Sequence, residues 1–492
     1  MDQETTISTP HLSGEVFDSL PPSIQGYIRY LEITIQRLQT RIQDLESRIS
    51  KNSSNSSKPP SSDGLKRKTK SQRPKSDKKP GAQIGHVGKG LSQGRRPDLI
   101  VTHTPVLCKG CGHDIQDVHG ECAEKRQIFD IPQPKIEVIE HRVEEKRCPC
   151  CGAVTKADFP GNVRGPVQYG ERVQALAAYF AHQHFVPVDR VCQILQDIFD
   201  VDLSPGTSAN VDDQLYHRLE PFERDLRRHL LTSRVLYFDE TGVRCEKKLH
   251  WIHVASSQAA TLYAIEAKRG QEAMDKMGIL PRFTGAAVHD HWAPYFSYEQ
   301  VGHCLCNAHH LRELTFVEEQ EGEKWAAQMK DLLLRANRTV EDYLERGALP
   351  TEVLLQIESE YTKILKDGAE YHALLPPLPC NKGRRQKQRA GKNLLDRLQT
   401  KRWYVVRFLY NFEIPFTNNQ GERDIRMVKL KQKISGCFRT SFGGQIFCRI
   451  RSYISTARKQ GWNIWEALAD AIRGSPKTLG CEQNLFAPSV LV

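Results

Sequence analysis

The 492-residue chain has no apolar run of the roughly 18 residues that a membrane-spanning helix needs. Its opening residues, MDQETTISTP, hold neither a basic stretch nor an apolar segment of the kind that begins a secretory signal. From these absences we expect no membrane partner and a soluble chain working in the cytoplasm. Acids are in deficit as well, 59 against 70 lysines and arginines, for a net charge of +11. Hydrophobic residues make up 39% of the chain, which is ample for cores, and the length predicts about three or four units at roughly 100–200 residues each. The 14 cysteines repeat one local pattern only, C-x-x-C, and without an export signal that pattern points to metal rather than to disulfides.

The positive charge is concentrated. Residues 51–100 hold 13 lysines and arginines against three acids, a surplus of ten. The segment is rich in Ser, Pro, Gly and Lys and has almost no apolar side chain to bury, so folding would not repay its conformational entropy. It reads as a solvated linker whose cations, Lys66, Arg67, Lys68 and Lys70 among them, suit the phosphate backbone of DNA. Before it, Ile24, Ile28, Leu31, Ile35, Leu38, Ile42, Leu45 and Ile49 alternate spacings of four and three residues. That is the seam of a coiled coil, and a homodimer is its simplest partner arrangement.

Two knuckles share one design, Cys108-Lys-Gly-Cys111-Gly and Cys148-Pro-Cys150-Cys151-Gly. Cys108, Cys111, Cys148 and Cys151 would close a tetrahedral structural zinc site, although Cys150 could replace a neighbour in the second knuckle. Between the knuckles, QIFDIP and KIEVIEHRVEEKR alternate apolar and polar residues, so a short β-hairpin and a zinc ribbon are expected. From Glu171 onward helical periodicity is broken near Pro187 and restarts after a Ser-Pro-Gly turn, which is compatible with a helix-turn-helix or with any small helical bundle.

VLYFDET is an apolar run ending in an acid, as expected of a buried strand that delivers Asp239 at its edge. LHWIHVASS and TLYAIEAKR follow as strands, GQEAMDKMGIL as a helix, GAAVHDHW as a strand ending at Asp290, and HCLCNAHHLREL as a strand running into a helix. The order β-β-β-α-β-α-β-α is that of an α/β, ribonuclease-H-like core. Its first and fourth strands are neighbours, which would bring Asp239 and Asp290 together. Two bare carboxylates at that distance repel unless a cation such as magnesium or manganese lies between them. Glu422, one turn into a later helix, offers a third acid. Asp424, its rival, lies roughly 200° around that helix, so both cannot face one metal.

The chain thus divides into a coiled-coil helix (1–50), a basic disordered linker (51–100), a zinc-binding ribbon (101–165) and a helical segment (166–232). The core follows in two parts (233–317 and 416–472), separated by a helical insertion (318–415) and followed by a tail (473–492). The insertion carries KGRRQKQRAGK, whose six basic residues include Arg384, Arg385 and Lys387 and invite DNA.

Several motifs in order, NSSNSSKPPSSD, KPGAQIGHVGKG, the paired knuckles, YFDETGVR, GILPRFTGAAVHDHWAPYF, CNAHHLREL, NNQGERDIRMVKLKQKISGCFR and STARKQGWNIWEAL, resemble the transposases of the bacterial insertion sequence 66 group. The resemblance spans almost the whole chain. It implies an Asp-Asp-Glu catalytic set at Asp239, Asp290 and Glu422, acting on double-stranded DNA at terminal inverted repeats and at a target site. The implied chemistry is phosphodiester hydrolysis that frees a 3′-OH, followed by attack of that hydroxyl on target phosphate. Two magnesium (or manganese) ions about 3.5–4 Å apart would serve both steps, Asp239 touching both, Asp290 one and Glu422 the other. The resemblance also makes helper proteins of the same element natural partners.

Around that set, Arg426 lies one turn from Glu422 and could orient it or meet DNA, while His309 and His310 could touch the scissile phosphate. Trp292 suits core packing better than base stacking. Two rival readings exist: a catalytically inactive DNA-binding descendant, and a metal phosphohydrolase using His289, Asp290, His291, His309 and His310. The second would place its His-Asp pair on helices, whereas GAAVHDHW reads as strand.

Overall fold

The computed structural model describes residues 14–52, 55, 56, 81, 85, 86, 88, 90–94, 96–378 and 388–480. After a short helix, α1 (Gly14–Asp18), the heptad pattern forms one continuous helix, α2 (Pro22–Ser50), with Pro22 in its first turn, where a missing N–H costs nothing. Leu31, Ile35, Leu38, Ile42, Leu45 and Ile49 are all exposed along it.

The cysteine region differs from the expected layout. No strand forms over 127–144; instead β1 (Glu145–Arg147) and β2 (Val154–Lys156) pair antiparallel across the second knuckle, and a bridge between Leu107 and Asp114 spans the first. Pro132 and Pro134 deny a ladder its N–H donors, and Ile128, Ile131, Val138 and Ile139 are exposed with no layer to cover them, so the alternation there has nothing to pack against.

Four helices follow: α3 (Glu171–Ala178), extended by a π-helical turn (Tyr179–Gln183), α4 (Val188–Phe199), α5 (Pro205–Arg218) and α6 (Glu220–Leu231). The Ser204 hydroxyl caps α5 by accepting the Thr207 N–H at 3.1 Å, which explains why the helix restarts at the Ser-Pro-Gly turn. Ala177, Val191, Leu195, Val201 and Leu203 form a small core of their own.

The centre is a mixed sheet of β3 (Val235–Cys245), β4 (Lys248–Ser256), β5 (Thr261–Glu266), β6 (Ala286–His289) and β7 (Gly302–Leu305), with α7 (Gln271–Met277) after the third strand. Its order is β5-β4-β3-β6-β7, antiparallel from β5 to β3 and parallel from β3 to β7. The first and fourth strands are therefore hydrogen-bonded neighbours. The helix expected between β6 and β7 is only a 3-10 turn (Ala293–Ser297), because the link between the strands is short.

Five helices, α8 (Asn307–Glu321), α9 (Lys324–Asp342), α10 (Thr351–Leu374), α11 (Ala390–Thr400) and α12 (Arg402–Val406), build the inserted region. Trp325, Met329, Leu333, Tyr361 and Leu394 share a core with Tyr237, Val288 and Leu305 from the sheet. Three helices close the chain: α13 (Asn419–Ser435), α14 (Ser441–Lys459) and α15 (Ile464–Arg473). The opposite sheet face buries Leu236 and Phe238 with Phe222, Ile450, Tyr453 and Leu468. Each such fully buried side chain contributes about 1.5–3 kcal/mol. The open edge of β5 is covered by α14: the Thr261 and Tyr263 N–H groups donate to the hydroxyls of Thr456 (3.1 Å) and Ser452 (2.9 Å).

Candidate active site

Strand alternation sorts the acids of β3. Tyr237 packs with the inserted helices and Val243 with α13, so the odd-numbered residues face those helices, and Asp239 lies in that row. Leu236 and Phe238 face the other core, and Glu240 follows them. On β6 the same rule puts Asp290 on the side of Val288, facing as Asp239 does. The pairing of Val235 with Ala286, Leu236 with Ala287 and Tyr237 with Val288, continued by two residues, sets Asp239 beside Asp290.

Glu422 reaches the same face from the first turn of α13. The start of that helix is anchored to β3: the Asn418 side-chain amide donates to the Phe238 carbonyl at 2.7 Å, one residue before Asp239. Gly421 makes room for that anchor, since a Cβ there would stand 2.7 Å from Asn418 Oδ1. Asp424 faces elsewhere. Lys459 (2.8 Å), Gln420 (3.0 Å) and Thr261 (3.3 Å) hold its carboxylate in a buried ion pair under α14.

The electrostatics follow from crowding acids in a partly buried place. Burial raises the Asp239 carboxyl well above its ordinary range, the charges of Glu240, Asp290 and Glu422 raise it further, and the Glu240 N–H donated to Asp239 Oδ1 at 2.9 Å opposes them. Burial and the Glu240 charge push Asp290 up to about 6, against the Trp292 N–H at 2.9 Å and the Arg269 charge. Glu422 meets one cation, Arg312 of α8, at 3.4 Å. Arg426 is exposed on α13 and is not that partner.

Of the two histidines singled out in the sequence, the structure brings one to the acids. The ligand atoms of His309, Cys306 and Glu422 lie within 4.8 Å of one another, and burial beside Arg312 lowers the His309 pKa to about 4, keeping its ring neutral. His310 turns inward, its Nδ1 3.1 Å from Asn307 Oδ1, and burial holds it well below its usual pKa. His289 uses both ring nitrogens internally, on the Asp290 carbonyl and on His303 Nδ1 (3.0 Å), and stacks on Tyr295 at 4.3 Å. It has no free nitrogen for the metal of a His-Asp phosphohydrolase.

Sequence reasoning missed the support behind the acids. Glu240 is a fourth carboxylate, its side chain 2% exposed, taken by Arg269 and by the Tyr295 hydroxyl at 2.7 Å on the far face of the sheet. Arg269 lies over the rings of Trp292 (3.9 Å) and Trp251 (5.0 Å), so Trp292 packs both on the core and on a guanidinium. Alternation could have sent Glu240 to the opposite face from Asp239; nothing local to it names Arg269.

The two knuckles have matching backbones. The Cys108 N–H donates to the His113 carbonyl and the Gly112 N–H to the Cys108 carbonyl, just as Cys148 pairs with Ala153 and Gly152 with Cys148, all at 2.8–2.9 Å. Backbone N–H groups of Cys111 and Gly110 lower the Cys108 thiol, and those of Cys151 and Cys150 lower Cys148. Cys150 thus occupies the place of Gly110. The four thiols Cys108, Cys111, Cys148 and Cys151 do not converge within ligand distance here; among the described residues, Cys306, His309 and Glu422 are the group that does. Lys66, Arg67, Lys68, Lys70, Arg384, Arg385 and Lys387 lie outside the described residues.

Asp239, Asp290 and Glu422 are not gathered within 4.8 Å of one another as Cys306, His309 and Glu422 are, but their donor type suits hard divalent cations. The set offers carboxylate oxygens alone, and the repulsion that raises Asp239 is what such a charge relieves. No described helix is long and apolar enough to cross a membrane. A comparison with protein families matches residues 166–446 to the transposase IS66 family and residues 18–92 to a family of unknown function, DUF6444. No curated protein matches the chain.

Proposed function

The chain belongs to the IS66 family of transposases, and from that premise we propose that it cleaves the ends of its insertion element and joins them to target DNA with Asp239, Asp290 and Glu422 as catalytic residues. The observation that carries this reading is that the charges of both Asp290 and Glu422 act on Asp239, at the ends of adjacent parallel strands β3 and β6 and the start of α13. The sheet order, with an antiparallel second strand and parallel fourth and fifth strands, supports a ribonuclease-H-like core.

In this reading the three carboxylates hold two magnesium or manganese ions, which supply a more acidic attacking water or hydroxyl and charge neutralisation at the scissile phosphate. Asp239 stands centrally, feeling both other acids. Asp290 is steadied by the Trp292 N–H and Glu422 by Arg312. His309, neutral beside Glu422, would donate a hydrogen bond to a phosphate oxygen. Glu240, Arg269 and Tyr295 fix the end of β3 from behind and touch no substrate.

The remaining parts serve DNA and assembly. The exposed seam of α2 supports a homodimer through a coiled coil, since leaving that stripe in water is unfavourable. The matching knuckles support a structural zinc ribbon on Cys108, Cys111, Cys148 and Cys151, closed when the two turns share one ion. Helices α4 and α5 supply a helix-turn-helix-like unit, and Lys66, Arg67, Lys68, Lys70, Arg384, Arg385, Lys387 and Arg426 supply phosphate contacts on terminal repeats and target. Helper proteins of the same element complete the partner set. The test is incubation of the purified protein with labelled end DNA. Nicking at the element boundary with magnesium and none without it is expected; intact DNA in both magnesium and manganese would refute the catalytic reading.

A further inference from the structure

The entry into α8 sets beside His309 and Glu422 a cysteine that the proposed reaction leaves unused. Cys306 immediately precedes the helix and His309 lies three residues on, so both side chains rise from one side of its first turn. Glu422 meets them from α13, and the three ligand atoms lie within 4.8 Å of one another. Cys306 is 1% exposed, and its sulfur accepts the Asn418 N–H at 3.1 Å, the kind of outer hydrogen bond that orients a metal ligand. His309 Nδ1 is buried without a hydrogen-bond partner. A buried sulfur, a buried imidazole and a carboxylate at ligand spacing need a cation more than they need one another.

We propose that Cys306, His309 and Glu422 form a binding site for a thiophilic divalent cation of the zinc class, separate in chemistry from the all-oxygen site of the aspartates. Thiolate and imidazole select zinc or cobalt over magnesium, and three protein ligands leave one tetrahedral position for water. Arg312, 3.4 Å from Glu422, is the charged group that a bound cation would displace or share. Glu422 belongs to both sites, so a zinc-class ion here draws it away from Asp239 and Asp290 and inhibits strand cleavage. That second consequence rests on the catalytic reading of Glu422; the binding itself does not.

Cobalt(II) is the probe. The full chain, Cys306→Ser and His309→Ala are titrated side by side and their absorption spectra subtracted. The knuckle cysteines are common to all three and cancel. The parent-minus-variant difference should contain a sulfur-to-cobalt charge-transfer band and tetrahedral d–d bands for about one equivalent of metal, with either variant. Superimposable spectra for parent and both variants would overturn the site. In magnesium-supported cleavage, Cys306→Ser should need at least about 10-fold more added zinc than the parent for the same inhibition, since losing a ligand costs no less than losing an outer-shell partner. Equal zinc sensitivity would overturn the sharing of Glu422. A parent that gives the cobalt difference yet never cleaves DNA in magnesium upholds the site and refutes the catalytic reading instead.

Discussion

Asp239 on β3 and Asp290, the residue after β6, are separated by the same 51-residue offset as the three paired positions of those strands, from Val235 with Ala286 to Tyr237 with Val288. A parallel ladder keeps its offset along its length, so the pairing points the start of the link after β6 toward Asp239.

Glu422 and Asp424 lie two residues apart on α13 and should fail in different ways when neutralised. Glu422→Gln should lower DNA cleavage by roughly 10²–10³-fold or more, on the scale of one lost electrostatic group, and leave thermal stability nearly unchanged. Asp424→Asn strands Lys459 in a buried place and should cost about 3–5 kcal/mol of stability. Denaturant unfolding together with cleavage rates separates the two; equal loss of stability in both variants would contradict the assignment.

The raised Asp290 carboxyl makes a signed prediction about pH. Its folded pKa of about 6 exceeds its ordinary 3.8, so the folded state binds the proton more tightly. Its contribution to stability is full below about pH 4 and is lost as pH rises through about 6. The shift corresponds to roughly 3 kcal/mol. Buried neutral His291 and His309 act in the opposite direction, but they are common to parent and variant. Unfolding without magnesium should therefore find Asp290→Asn little different from the parent near pH 4 and more stable by up to about 3 kcal/mol at pH 8. A difference independent of pH would contradict the burial of that carboxyl.

Much of this arrangement was legible in the chain, for particular reasons. VLYFDET and GAAVHDHW end apolar runs in acids, so the strands carrying Asp239 and Asp290 could be read from hydrophobicity alone. Helical angle said only that Glu422 and Asp424 face different ways, not which of them joins the aspartates. The alternation between the knuckles misled because Pro132 and Pro134 outweigh it and no layer covers it. The 3-10 link between β6 and β7 was hidden because a proline near a start is compatible with an α-helix too. The supports were invisible for another reason: Arg269 meets Glu240 across 29 residues and Arg312 meets Glu422 across 110, pairings that only the completed fold brings about.

The knuckles predict a hierarchy among neighbouring cysteines. If the proposed ribbon holds, Cys148→Ser and Cys151→Ser should each release zinc and increase proteolysis between residues 101 and 165. Cys150→Ser should leave zinc content unchanged, since Cys150 contributes its backbone N–H to Cys148. Metal analysis of the three variants checks this, and loss of zinc from Cys150→Ser would reverse the assignment.

For α2, Ile35→Glu combined with Ile42→Glu places charges in the middle of the apolar seam. Sedimentation equilibrium should find the parent as a dimer and the double variant as a monomer, with the catalytic core still folded. An unchanged mass would locate self-association elsewhere.

The most direct test of the central claim is manganese binding followed by electron paramagnetic resonance, which loses free-ion signal as Mn²⁺ is taken up. The account predicts that the parent removes Mn²⁺ from solution and that Asp239→Asn, Asp290→Asn and Glu422→Gln each weaken that uptake, while Asp424→Asn does not. Uptake unaffected by the first three substitutions would contradict it.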